Sequence, residues 1–113
     1  AGKKLLLERV TTFAKHLSGK VVTMSDYPAW EYKSDSQLRK VCVDSFTNVY
    51  GHEPEVTSIH AGLECGILAG KMQGVDMISF GPTLESVHTP DECMDAASVE
   101  RTWEYLLEIL KSL

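Results

Sequence analysis

The sequence predicts an α/β architecture in which parallel strands are joined by crossover helices. Three observations carry that prediction. Four stretches place apolar residues at the three- and four-residue spacing of a helix. Three short runs between them are β-branched or continuously apolar, as buried strands are. Glycine, proline and small polar residues punctuate the joins. In chain order the elements alternate as helix, strand, helix, strand, helix, strand, loop and helix.

Residues 3–18 open the series, with Leu6, Val10, Phe13 and Leu17 on one helical face. Gly19 is the expected stop, because glycine accepts the left-handed backbone that often ends a helix. Val21, Val22 and Thr23 make residues 20–24 a candidate strand, and Ser25-Asp26-Tyr27-Pro28 ends it. The second helix is the clearest. Ser34 and Gln37 form an S-x-x-Q capping box, after which Leu38, Val41, Cys42, Phe46 and Val49 line one side up to Gly51. Residues 55–60 read as a strand, 63–72 as a glycine-spaced helix, and 77–80 as a strand ended by Gly81-Pro82. A polar loop fills residues 83–96. The last helix carries Val99, Trp103, Leu106, Leu107, Leu110 and Leu113 on its apolar side.

The chain's 113 residues leave room for one domain or a piece of a larger one. Sixteen acidic against eleven basic residues give a net charge of −5, which argues against a nucleic-acid partner. No apolar run approaches the roughly 20 residues of a membrane span, and no secretory core opens the chain. Three cysteines without C-x-x-C spacing do not form a disulfide framework, so a reducing, cytoplasmic setting is expected. Three strands are few for a self-contained sheet, and residues 27–33 read as a linker between two bodies. Both features suit a fragment.

Four histidines compete for chemical roles. His16 beside Lys15 reads as surface, and His52 after Gly51 as a turn residue. His60 ends a strand before Ala61-Gly62, where α/β proteins present groups to ligands. His88 stands in a loop beyond a strand, also a position where function concentrates. His60/Glu64 and His88/Glu92 share a four-residue spacing that on a helix would suit a metal. A strand end and Pro90 deny both pairs that geometry. Gly62, Gly66 and Gly70 admit two readings: close packing, or an open turn at Gly62 whose N–H groups approach an anion. Cys42 and Cys65 read as small hydrophobes, and Cys93 has no neighbour to activate it.

Three segments, in order and spacing, resemble one family. They are Ile59-His60-Ala61-Gly62-Leu63-Glu64-Cys65-Gly66, Asp76-Met77-Ile78-Ser79-Phe80-Gly81-Pro82 and His88-Thr89-Pro90-Asp91-Glu92. Together with Tyr27-Pro28-Ala29-Trp30 and the helix over 34–51, they are similar to the C-terminal part of the aminoacyl-histidine dipeptidases. These are also called Xaa-His or cytosol non-specific dipeptidases, and they belong to the metallopeptidases that include glutamate carboxypeptidases and aminoacylases. The resemblance implies an enzyme in which a lid domain interrupts a catalytic α/β domain. Residues 1–30 would end the lid, and residues 31–113 would be the C-terminal part of the catalytic domain.

It further implies two zinc ions in the parent enzyme that activate water against a dipeptide substrate. His88 would be a metal ligand, and His60, Gly62 and Glu64 would contact substrate. The other ligands and the general base would come from an N-terminal remainder, since this sequence holds no H-x-D segment and no Glu-Glu pair. The chain alone is then expected to hold no zinc and to be inactive, and the parent is expected to be a homodimer. Two other classes stay open: a stand-alone α/β module binding an anion at Gly62, and a structural partner without chemistry.

Overall fold

The computed structural model describes residues 2–59 and 61–113. Helices dominate: α1 (Gly2–His16), α2 (Gln37–Tyr50), α3 (Glu64–Lys71) and α4 (Ala96–Ser112). Among the described residues the sheet is one antiparallel ladder, β1 (Leu84–Glu85) and β2 (Cys93–Met94). Leu84 stands opposite Met94 and Glu85 opposite Cys93. The parallel strands expected at 20–24, 55–60 and 77–80 are absent among these residues, and a ladder forms inside the segment expected to be loop. A strand needs a neighbour to complete its hydrogen bonds. Val22, Met24, Val56 and Ile59 lie exposed, so β-branched composition here has no partner to act on. The observed class is helix-rich with a small sheet.

The helix ends show how local chemistry sets boundaries. α1 closes with a Schellman pattern: the Gly19 N–H donates to Ala14 O (2.7 Å) and the Ser18 N–H to Lys15 O (3.0 Å). The left-handed residue is Ser18 (φ 56°), not Gly19. Gly19 is required for closeness instead, since a β-carbon there would lie 3.0 Å from Ala14 O. The cap of α2 is Ser36 rather than Ser34, its Oγ accepting the Arg39 N–H at 2.9 Å. Gly51 ends α2 in the left-handed region (φ 75°) as expected.

The buried hydrophobic side chains sit where α2 and α4 cross. Cys42, Tyr105 and Ile109 form the buried hydrophobic cluster, flanked by Leu38, Val41, Phe46, Tyr50 and Ile78. Phe46 and Phe80 meet the Tyr105 ring edge-on, with centroids 5.3 and 4.9 Å away. The Tyr105 hydroxyl donates to Cys42 O at 2.9 Å, and burial raises its phenol well above the ordinary range.

The buried side of α4 is not the one its hydropathy suggests. Ser98, Tyr105 and Ile109 are buried, whereas Val99, Trp103, Leu107, Leu110 and Leu113 lie open. A shift of one residue is a rotation of about 100°. Polar anchors select that rotation: Ser98 Oγ accepts the Thr83 N–H (2.9 Å) and donates to Asp95 O (2.6 Å).

α1 buries no residue. Its predicted face is exposed, with Phe13 and Leu17 each 69% accessible. Lys3 ties it to the chain beyond through the Asp26 carboxylate and Tyr27 O. The radius of gyration is 18.8 Å, against about 13 Å for a compact domain of this size. The described residues thus extend well beyond the α2–α4 core.

Candidate functional site

The loop that carries His88 is built on the start of α4. The Asp95 N–H donates to Thr83 O (3.0 Å), and the Thr83 N–H donates to Ser98 Oγ. Asp95 also caps the helix: Oδ1 accepts the Ala97 N–H (2.9 Å) and Oδ2 pairs with Arg101 (2.9 Å). The Arg101 bond, then the Ala97 N–H, hold its carboxyl below the ordinary carboxylate value. From this base β1 and β2 rise as a ladder, and residues 86–92 connect them.

That connection is braced by its own polar groups. Ser86 O accepts both the Thr89 N–H (3.1 Å) and the Thr89 hydroxyl (2.7 Å). The Asp91 N–H donates to Thr89 Oγ1 (3.2 Å), and the Glu92 N–H to Thr89 O (3.2 Å). His88 is left-handed at φ 65°, uncommon for a residue with a β-carbon. Its N–H donates to Glu92 Oε2 at 2.7 Å. The four-residue spacing of His88 and Glu92 therefore does bring the pair together, but through backbone rather than imidazole.

The turn before α3 is built differently. His60 lies outside the described residues. A β-carbon on Gly62 would stand 3.0 Å from the Tyr27 ring, and one on Gly66 only 2.7 Å from Pro28 O. Gly70 faces open space. Close packing thus accounts for two of the three glycines. The segment 27–33, expected as a linker, lies against α3 with its first residues. Glu64 is the first residue of α3, exposed, beyond the N-cap Leu63, which offers no side-chain bond.

No hydrogen bond or ion pair joins this turn to the His88 loop among the described residues. Nor do three or more His, Cys, Asp or Glu side chains converge among them. His16 is exposed on α1. His52 packs edge-on against Phe46 at 5.3 Å, with Nδ1 3.1 Å from Glu53 O, a place in the aromatic cluster at the end of α2. Cys42 is buried, and that burial pushes its thiol up; Cys65 is half-buried and Cys93 exposed. Asp76, first residue of the family-like segment 76–82, has a structural role that its motif does not signal. Its Oδ2 accepts the Leu38 N–H (3.0 Å) at the start of α2. That bond, followed by one from Ser36, holds its carboxyl below the usual range.

Residues 12–112 match the model of peptidase family M20/M25/M40. The chain belongs to this family. Over its whole length it is 30% identical to the cytosol non-specific dipeptidase of Escherichia coli (strain K12), of which it covers 23%. In structure it is similar to the aminoacylhistidine dipeptidase from Vibrio alginolyticus, with a TM-score of 0.82 and 30% identity. That match covers 99% of this chain and 23% of the other. This M20 segment therefore spans about a quarter of the length of the relatives it matches. Its resemblance to the aminoacyl-histidine dipeptidases is matched both in sequence and in fold. No described helix is long and apolar enough to cross a membrane.

Proposed function

We propose that the chain is the C-terminal part of a dinuclear-zinc dipeptidase that cleaves Xaa-His and other dipeptides in the cytoplasm. The observation that carries this reading is the match of the whole chain to 23% of a cytosol non-specific dipeptidase. The exposed apolar faces of α1 and α4 support it, because they are larger than isolated surface hydrophobics and suit burial against further protein. In this reading residues 1–30 end a lid domain, residues 31–113 complete the catalytic domain, and the parent is a homodimer.

His88 would supply one neutral imidazole to a metal site whose remaining donors lie in the N-terminal remainder. It suits that part because it is exposed on a braced loop, from which its imidazole can join donors of another segment. When bound, the two zinc ions would supply Lewis-acid activation of water. The chain's own part is to hold the imidazole in place and, through His60, Gly62 and Glu64, to contact the dipeptide.

Two measurements test the proposal. The chain alone with zinc or manganese should not hydrolyse Xaa-His dipeptides; metal-dependent turnover that copurifies with it and vanishes in His88→Ala would overturn the fragment reading. In the full-length protein, His88→Ala should remove one metal ion and nearly all activity. Full occupancy and normal turnover in that variant would sink the ligand assignment.

A further inference from the structure

The left-handed backbone of His88 calls for a physical cause. Residues with a β-carbon avoid this region, and Gly, Asn or Asp usually fill it. Here the amide of the left-handed residue is bonded to a carboxylate. Glu92 directly precedes β2, so its backbone is anchored by the ladder register of Glu85 and Cys93. From that anchored rim its Oε2 reaches across the loop to the His88 N–H at 2.7 Å. Glu92 has no competing duty at α4, whose N-cap is Asp95.

We infer that Glu92 is a positioning residue for the His88 imidazole: its carboxylate pins the His88 amide and so fixes the direction in which the side chain leaves the loop. The geometry gives the reason. With the N–H held on Oε2 and φ held at 65°, the Cα–Cβ bond of His88 has one orientation relative to the ladder. Thr89 braces the other side through Ser86 O, which leaves the tip little freedom to swing. A metal ligand gains affinity when it is preset, because the site then spends no binding energy on ordering it. The inference rests on the metal-ligand reading of His88. It adds a residue that touches neither metal nor substrate.

The test uses the full-length protein in three variants: Glu92→Ala, Glu92→Gln and His88→Ala. Hydrogen exchange at the His88 amide, read by mass spectrometry with fragmentation, should quicken at least about tenfold in Glu92→Ala. Zinc affinity, measured by chelator competition, should fall roughly 10- to 100-fold in the same variant. Glu92→Gln keeps an acceptor oxygen at the same reach, so it should recover most of both losses. Unchanged exchange and affinity in Glu92→Ala would overturn the positioning role alone. Glu92→Gln as damaging as Glu92→Ala would also overturn it, pointing to a role for the charge rather than the acceptor. Full zinc occupancy in His88→Ala would instead remove the reading on which the inference stands.

Discussion

Two glycines one turn apart on α3 give opposite predictions for the same substitution. Alanine in place of a helical glycine gains about 1 kcal/mol of helix propensity. At Gly70 nothing lies within 4 Å of the new β-carbon, so Gly70→Ala should realise that gain in full. At Gly66 the β-carbon would stand 2.7 Å from the Pro28 carbonyl oxygen and 3.6 Å from the Trp30 nitrogen. Both are backbone atoms and cannot rotate away. Overpacking of this kind costs about 1–3 kcal/mol. The two variants should therefore differ by that amount, roughly 5- to 150-fold in the opening equilibrium of the contact. Trp30 fluorescence during urea unfolding reads it, in a Trp103→Phe background that removes the exposed second indole. Gly66→Ala as stable as Gly70→Ala, with unaltered native Trp30 emission, would refute the packing of residues 27–30 on α3.

Three further outcomes follow from the core and the caps. Ile109→Ala should cost about 2–5 kcal/mol, whereas Leu110→Ala in the same chain should stay within about 0.5 kcal/mol; equal losses in urea titrations would reject the observed rotation of α4. Ser45 is buried on α2 with a hydroxyl that finds no partner among the described residues. Ser45→Ala should accordingly be neutral or raise stability by about 1 kcal/mol, and a clear loss would refute the unpaired state of the hydroxyl. Asp76 has its folded pKa lowered from the ordinary 3.8, first by the Leu38 N–H and then by Ser36. Its stabilisation is therefore complete above the ordinary carboxylate range and disappears as the pH falls through the lowered value. The stability gap between the wild type and Asp76→Asn should close in acid, and a gap independent of pH would exclude the linkage.

The helices were legible because periodicity and punctuation act within one turn of chain. Their partners were not, because a strand or an apolar face is defined by what lies across from it. Residues 20–24 have β-branched composition, yet Val22 and Met24 stay exposed and unpaired. The apolar arc of α4 is broad enough to offer more than one face, and hydropathy favours Trp103 over Ser98. The observed face is chosen by two polar contacts, Tyr105 to Cys42 O and Thr83 to Ser98, that connect residues 63 and 15 positions apart. The cap of α2 shows the same limit at short range. Ser34 satisfies the capping-box pattern, but Ser36 has its oxygen against the Arg39 N–H while Asp76 meets the next free donor.

The His88 loop marks where motif reading stops and geometry begins. Its pentapeptide signalled the family, and the spacing of His88 and Glu92 was visible, but helix and zinc rules alone supplied no reason for it. The loop supplies one. Thr89 braces it through its hydroxyl, and Asp91 returns an amide to that hydroxyl. Pro90 fixes its own φ and brings no N–H that needs a partner. The chain has by then turned back far enough for the carboxylate four residues on to face the His88 amide. A four-residue interval therefore arises here from a loop crossing itself, without any helix. The same interval in another loop of these lengths should be judged by whether its acidic member reaches backbone, because an acceptor for the histidine amide orients the imidazole while leaving both ring nitrogens free.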